Sequence, residues 1–259
     1  MKLPVRFTLV AAAAMAFSAA HAAVVTLVPG DEFDGLTASG SATLTLSQNL
    51  IAAMNVGQIS FAEFGGANAQ ISRDAGGAYT GLSVSAPGTA ITLDTTTRNV
   101  LGVATVGGAT LTATPITGVS SGGFLTISNL RFDITAMTVY ATLIGGNNVG
   151  TINDFALWKA SVLEGGTTVN GAGTYQNTIR GLSISSQGFD VFKQALGLQF
   201  LGTAALSAVE DYGTISSVIN AVPVTPAIPE PSTYALMGLG LVGLALATRR
   251  RGLSARAQA

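Results

Sequence analysis

The chain contains no cysteine among its 259 residues and one histidine, His21. Without cysteine the protein forms no disulfide and has no thiolate to act as a nucleophile or metal ligand. His21 falls in an N-terminal segment that we predict is removed, so the mature body has no imidazole. Ser-His-Asp and Cys-His nucleophilic centres, zinc or copper sites with His or Cys ligands and haem held by those residues are therefore excluded.

Charged residues are also scarce, at 10% of the chain. Half of the basic side chains lie in the two terminal segments. Between residues 23 and 228 there remain six basic and twelve acidic side chains, a net charge of −6. Nucleic acid is bound by clustered Lys and Arg, and this surface has the opposite sign. The sequence therefore predicts no nucleic-acid partner.

The N-terminal segment has the three parts of a secretory signal peptide. Two basic residues precede an apolar run over residues 7–17, and the small residues Ala20 and Ala22 follow. We predict that residues 1–22 are a signal helix recognised by the Sec export machinery and cut off before Ala23. A buried N-terminal helix is the alternative, but it does not explain why charge, apolar run and small residues come in this order.

An apolar run of 14 residues, 234–247, lies near the C-terminus. As a helix it would extend about 21 Å, short of the roughly 30 Å hydrocarbon core of a bilayer. Three arginines follow it: Arg249, Arg250 and Arg251. Their long side chains can reach the cytoplasmic headgroups and stop the segment there. We predict a transmembrane helix over residues 232–251 and a cytoplasmic tail over residues 252–259.

The residues before the apolar run are Pro229, Glu230, Pro231 and Ser232. This motif, the apolar run and the arginines together resemble the PEP-CTERM sorting tail of exported Gram-negative bacterial proteins. The resemblance covers about 24 residues. A plain tail anchor, whose prolines merely end a linker, is the alternative.

The resemblance implies that an exosortase, a membrane-embedded cysteine transpeptidase, recognises the motif and removes the tail. The protein would be anchored in the inner membrane only in transit, and would end at the cell surface or in the extracellular matrix. It also implies a host that makes exopolysaccharide and often forms biofilm. The same tail is sometimes catalogued as an ice-binding protein C-terminal domain, a label that says nothing about ice affinity of the body.

The body, residues 23–222, has the texture of strands and turns. Short runs rich in Val, Ile, Thr, Leu and Phe are separated by Gly, Asn, Asp and Ser. Four runs read as strands, and several of them alternate apolar and polar residues with period two: 42–46, 110–114, 124–128 and 137–144, the last predicted to be the longest strand. One helix is predicted over residues 189–198. A stiff Pro-rich linker over residues 223–231 follows.

The predicted fold is therefore all-β, an antiparallel β-sandwich with one short helix. Two smaller sandwiches and a parallel solenoid are the alternatives. The sequence has no fixed repeat of 20 to 25 residues, which counts against the solenoid. Some segments echo one another in the same order in the two halves, which would fit two similar β-units. The three echoing pairs are 44–47 with 125–128, 81–85 with 181–185, and 110–112 with 205–207.

Twelve carboxylates are the only reactive groups of the body, so an enzyme of this sequence would be a glycosidase with paired Asp or Glu. The sequence nominates no such pair. The densest acidic cluster is Asp31, Glu32 and Asp34, which offers oxygen ligands for Ca²⁺ but lacks the spacing of a calcium loop. Apart from that calcium candidate, no cofactor is expected. Glu210 and Asp211 are expected to flank a strand end.

The only tryptophan, Trp158, has two interpretations. Exposed, its ring could stack on a sugar. Buried, it would be a core residue, which large aromatic residues more often are. The second interpretation is favoured.

The leading functional hypothesis is a non-enzymatic surface or matrix protein with a structural or adhesive role alongside extracellular polysaccharide. The rival class is an extracellular carbohydrate-active enzyme, which needs two carboxylates about 5 to 10 Å apart in one cleft. An ice-binding protein is the third alternative and predicts a flat face of outward Thr in register on a regular solenoid.

Overall fold

The computed structural model of the chain describes residues 23–224, 235–239 and 241–242. The predicted signal helix, residues 1–22, lies outside the described residues. Residues 23–224 form fifteen strands and three short helices. The strands are β1 Val24–Leu27, β2 Glu32–Phe33, β3 Leu36–Leu46, β4 Ser60–Phe64, β5 Asn68–Arg73, β6 Tyr79–Asp94, β7 Val100–Thr105, β8 Gly108–Ala113, β9 Gly123–Asp133, β10 Thr138–Gly145, β11 Gly150–Lys159, β12 Val162–Glu164, β13 Gly173–Arg180, β14 Ser183–Ile184 and β15 Gly213–Pro223. The helices are α1 Gln48–Val56, α2 Ser186–Ala195 and α3 Phe200–Ser207.

The strands belong to one large open sheet. Its main path runs β12-β13-β15-β3-β6-β7-β9-β10-β11-β14, and the remaining strands join it at the sides. The registers described are antiparallel throughout, as in the pairing of β3 with β6 and of β9 with β10. The prediction of a mostly-β, antiparallel body is confirmed.

Strand β6 joins the two parts of the sheet. Its first half pairs with β3 and β5, and its second half pairs with β7 and β1. Strand β6 stops pairing with β3 at Pro87 and begins pairing with β7 at Gly88. A Cβ added to Gly88 would lie 3.1 Å from the carbonyl oxygen of Gly40, so glycine permits this close approach. Because β6 continues through the exchange, one sheet replaces the two separate sheets of the predicted sandwich.

The main core draws on strands from both ends of this order. Ile179 of β13 and Leu157 of β11 belong to the same buried cluster, together with side chains from all three helices. The sheet therefore curves around a shared interior. Trp158 and Tyr212 are the largest fully buried side chains, with 2% and 1% of their surface exposed. The favoured interpretation of Trp158 as a core residue is confirmed.

Two of the three helices begin at a serine cap. The hydroxyl of Ser47 accepts a hydrogen bond from the Leu50 amide at the start of α1, and Ser185 accepts one from Gly188 at the start of α2. Each cap satisfies an amide that the first turn leaves without an intrahelical partner. The predicted helix over 189–198 corresponds to α2, which begins three residues earlier. Helices α1 and α3 were not predicted.

Two further expectations from the sequence were wrong. The longest strand is β6, with 16 residues, and not β10, with 8. Two of the three echoing pairs do not adopt equivalent structures. Residues 81–85 lie in β6, whereas residues 181–185 include β14 and the cap of α2. Likewise 110–112 lie in β8 and 205–207 in α3. The echo is one of composition, and the body is not two similar β-units.

The chain divides into two compact units, Met1–Val222 and Pro223–Ala259. Within the second unit, residues 235–239 and 241–242 are helical. The rest of the predicted helix over 232–251 and the predicted tail over 252–259 lie outside the described residues. Among the helices described, none combines the length and apolar character needed to cross a bilayer.

Candidate functional site

One side of five neighbouring strands forms a polar surface that carries almost no charge. These strands are β13, β15, β3, the first half of β6, and β5. Their alternate residues point inward and are mostly apolar, such as Leu44 and Val84. The outward residues that define this surface, here called the hydroxyl face, are Thr174, Gln176, Thr178, Thr214, Ser216, Asn220, Ser41, Thr43, Thr45, Ser83, Ser85, Asn68, Gln70 and Ser72. All are exposed or half-buried.

The antiparallel register brings these side chains into rows across the strands. Thr43 lies opposite Ser85, which in turn lies opposite Asn68. On β13 and β15, the Thr174 hydroxyl donates to the Asn220 amide oxygen at 2.8 Å, and the hydroxyls of Thr178 and Ser216 are 3.3 Å apart. Neighbouring strands are about 4.8 Å apart, so each row presents a donor or acceptor at roughly that interval.

Charge is confined to the margin of the hydroxyl face. Arg180, at the end of β13, pairs with Glu164 of the edge strand β12 at 2.9 Å. Gly81, Pro87 and Val218 interrupt the face without adding charge. Hydroxyl and amide groups donate and accept hydrogen bonds but do not change ionisation near neutral pH. The face therefore presents neutral hydrogen-bond donors and acceptors, and its own side chains offer no group for proton transfer near neutral pH.

This face was not predicted from the sequence, although a signal was present. The alternation in residues 42–46 was recognised, with Thr43 and Thr45 at the outward positions. Outward positions on a solvated strand are often charged, and the consistent use of Ser, Thr, Asn and Gln was the missing clue. The face itself becomes visible only when β13 and β15 are placed beside β3, which lies more than 120 residues earlier in the chain.

The carboxylates of the body are dispersed. None of the acidic residues within 23–224 is buried. Four form surface ion pairs: Asp34 with Arg98, Asp154 with Arg131, Glu164 with Arg180, and Asp190 with Lys193. No group of three or more Asp, Glu, His or Cys residues in the described part of the chain is placed to hold a metal ion.

The three acids considered as calcium ligands, Asp31, Glu32 and Asp34, are not grouped so that together they could hold a metal ion. Asp31 accepts a hydrogen bond from the Val28 amide at 2.9 Å, within its own turn. Asp34 pairs with Arg98, a cation that competes for the carboxylate. Glu32 lies in the two-residue strand β2 and is exposed. The structure thus gives two of these three acids other partners.

Among the residues that the structure describes, two titratable groups have shifted pKa values. The amides of Thr97 and then Thr96 donate to Asp94 and lower the pKa of that carboxyl below 3.8. Burial raises the pKa of the Tyr212 phenol, which therefore stays neutral. Asp211 and Glu210 flank the start of β15, as expected, and the Asp211 carboxylate accepts from the amides of Leu182 and Gly213.

The predicted processing sites lie almost wholly outside the described residues. These are Ala20 and Ala22 at the signal cleavage site, Pro229, Glu230, Pro231 and Ser232 of the sorting motif, and Arg249, Arg250 and Arg251 of the membrane stop. Ala23 is described and exposed. Its carbonyl oxygen accepts a hydrogen bond from the Thr95 amide at 3.0 Å.

Comparison with protein families finds a PEP-CTERM protein-sorting motif over residues 227–251. The chain thus carries this motif near its C-terminus, as the sequence resemblance indicated. The motif implies an exported protein that an exosortase processes and sorts to the cell surface. No curated protein and no solved structure matches the chain.

Proposed function

We propose that this protein is a non-enzymatic component of the cell surface or extracellular matrix of a Gram-negative bacterium, where its body adheres to exopolysaccharide through the hydroxyl face. The tail would anchor it in the inner membrane only until an exosortase removes it. The observation that carries the proposal is the five-strand face of Ser, Thr, Asn and Gln side chains.

Hydrogen bonding to a sugar polymer explains why such a face would be broad and neutral. One neutral hydrogen bond exposed to water contributes about 0.5 to 1.5 kcal/mol, so a useful affinity needs several at once. Five strands span about 19 Å between the outer two, enough for several sugar units. A polymer can also engage many copies of the protein, so weak contacts add up to strong retention.

The dispersion of the acids supports adhesion over glycoside hydrolysis. A glycosidase needs one carboxylic acid held protonated near neutral pH, commonly by burial beside apolar groups. The acids of residues 23–224 are exposed or half-buried, and several accept hydrogen bonds or pair with Arg. The regular solenoid expected of an ice-binding protein is likewise not the fold of these residues.

The test begins with the protein in its producing cells. Intact mass is measured for protein from membrane, surface and medium fractions, with and without alanine at Pro229, Glu230 and Pro231. We expect the unchanged chain outside the membrane as a product that begins at Ala23 and ends near Pro229, and the variant retained with its full tail. A full-length chain retained in the membrane in both cases would contradict the sorting part of the proposal.

Binding is then measured by co-sedimentation with polysaccharide extracted from the producer's own matrix. A double variant, Thr43→Glu with Ser85→Glu, places two carboxylates at the centre of the hydroxyl face. We expect binding to fall at least tenfold, because burying each carboxylate against sugar removes it from water. Ser60→Glu with Thr112→Glu, at exposed and directly opposed positions of β4 and β8 outside the face, adds the same charge and is the matched control, which should bind normally. Equal binding by all three proteins would refute the adhesive role of the face.

A further inference from the structure

The loop between β12 and β13, residues 165–172, contains the only asparagine of the chain that is followed by glycine, Asn170 before Gly171. Neither residue belongs to a helix or strand, and Asn170 is exposed while Gly171 is half-buried. Among the described residues, neither the side-chain amide of Asn170 nor the backbone N–H of Gly171 has a hydrogen-bond partner. Gly171 has φ +133°, a conformation that favours glycine at this position.

An asparagine side chain can be attacked by the backbone nitrogen of the residue that follows it. Here the nitrogen of Gly171, after loss of its proton, bonds to the side-chain carbonyl carbon of Asn170. The side-chain nitrogen leaves as ammonia, and a five-membered succinimide ring results. Water then opens the ring at either carbonyl and gives aspartate or isoaspartate, so one water is consumed and one ammonia released. Glycine favours this attack because it has no Cβ to hinder its nitrogen.

The chain is held on both sides of this pair. The Tyr175 hydroxyl accepts a hydrogen bond from the Asn170 N–H at 3.0 Å and donates one to the Gly171 carbonyl oxygen at 2.8 Å. Just upstream, the Val169 N–H donates to the Arg98 carbonyl oxygen at 3.0 Å, and the Val169 side chain packs against a buried cluster. The peptide unit between Asn170 and Gly171 has no hydrogen-bond partner among the described residues. The tyrosine therefore holds the peptide units on either side of the reactive one.

We propose that Asn170 is a site of spontaneous deamidation in the folded protein, and that its isoaspartate product frees the loop from Tyr175. Isoaspartate carries the main chain through its side-chain carboxyl, which adds one methylene between the two backbone atoms that the hydroxyl joins. One hydroxyl cannot then keep both hydrogen bonds. The product also adds a negative charge to a body whose net charge is already −6. The modified fraction records the time since synthesis.

Asn177 is an internal control for this reaction. Trypsin cuts after Lys159 and Arg180, so both asparagines lie in one tryptic peptide, residues 160–180. Asn177 lies in β13, is 9% exposed, and is followed by threonine. Asn170 should convert at least about tenfold faster, because local opening costs little free energy in an exposed loop and much more in a core strand.

The full chain is incubated at physiological temperature, at mildly acidic and mildly alkaline pH. Mass spectrometry of the tryptic peptide follows the change in mass from amide to acid, and a sample digested at the start corrects for conversion during digestion. Conversion at Asn170 should increase with time and with pH, because the attacking nitrogen must lose its proton. Asn170→Gln keeps an amide but needs a six-membered ring, so it should not convert. A synthetic peptide of residues 160–180, incubated in parallel, shows when the time allowed is sufficient.

Thermal unfolding tests the role of Tyr175. Incubation should lower the melting temperature of the unchanged protein by about 2 to 4 °C, as expected for the loss of about one hydrogen bond. Tyr175→Phe has no hydroxyl to be released, so its further loss on incubation should be much smaller. Asn170→Gln should lose nothing. Circular dichroism checks that each variant is folded before incubation.

Two results would overturn the proposal. If the synthetic peptide converts at Asn170 while the folded chain converts there no faster than at Asn177, the folded loop protects the amide. If incubation lowers the melting temperature of Tyr175→Phe as much as that of the unchanged protein, the product does not act through Tyr175. Neither result bears on adhesion, which is measured with freshly prepared protein.

Discussion

The two sides of β3 and β6 are built from different chemistry although they share the same backbone. Inward residues are Ala, Leu and Val, and outward residues along the paired stretch are chiefly Ser and Thr. The inner side packs against side chains of the helices in the main core. The outer side contacts no other element through these side chains in the interactions described, apart from neighbouring strands.

This difference separates the residues that stabilise the fold from those that form the hydroxyl face. Burial of inward side chains supplies the hydrophobic free energy that stabilises the sheet, and stability falls when that packing is disturbed. Outward hydroxyls gain little from folding, because they exchange hydrogen bonds with water for similar ones with neighbours. Substitutions on the hydroxyl face can therefore change its chemistry while the fold stays the same.

Adjacent residues of β6 give the largest contrast between the sides. Leu82 is 2% exposed in the core, and Ser83 lies on the hydroxyl face. Leu82→Ala should lower the free energy of unfolding by about 3 kcal/mol, through lost burial and the cavity left behind. Ser83→Ala should change it by less than about 0.5 kcal/mol. Urea unfolding followed by Trp158 fluorescence measures both, and similar losses would show that the outer side also stabilises the fold.

A pair of tyrosines gives a smaller contrast, in which the expected changes in the free energy of unfolding have opposite signs. Tyr212 has a buried hydroxyl without a partner among the described residues, whereas the Tyr175 hydroxyl donates to Gly171 and accepts from Asn170, at 2.8 and 3.0 Å. Tyr212→Phe should raise the free energy of unfolding by about 1 kcal/mol, and Tyr175→Phe should lower it by about as much. Thermal unfolding compares them. An equal loss in both would mean that bound water satisfies Tyr212.

Strand patterning was largely predictable because it depends on local alternation. The strands expected at 42–46, 110–114, 124–128 and 137–144 all exist, since a half-buried strand needs period two. Helix α1 was not predicted although Ser47 is a typical cap, because the helix that follows the cap is only nine residues long and its periodic pattern is short. Helix α3 has no side-chain cap, and a short apolar run is ambiguous between helix and strand.

Long-range pairing was not predictable from one sequence. The dipeptide Pro87-Gly88 favours a break, yet β6 continues through it and only changes partners. The hydroxyl face depends on that pairing, because it needs β15 beside β3. The sorting motif is different, since a short contiguous segment is recognised without any fold.

The smallest expected effect concerns the solvent-exposed end of β6, where Asp94 accepts from the Thr96 and Thr97 amides at 2.8 and 3.1 Å. These bonds lower the pKa of the Asp94 carboxyl below its ordinary value of 3.8 in the folded state. The carboxylate therefore stabilises the fold above pH 3.8, and this contribution is lost as pH falls through the lowered pKa.

Asp94→Ala removes the acceptor. The gap in melting temperature between this variant and the unchanged protein should therefore be widest near pH 7 and should narrow on acidification. Asp94→Asn keeps one acceptor oxygen and should give a smaller gap at neutral pH. A gap that stays constant between pH 7 and pH 2 would mean that the Asp94 side chain stabilises this turn independently of its charge, and the absence of any gap would mean that the backbone alone holds the turn.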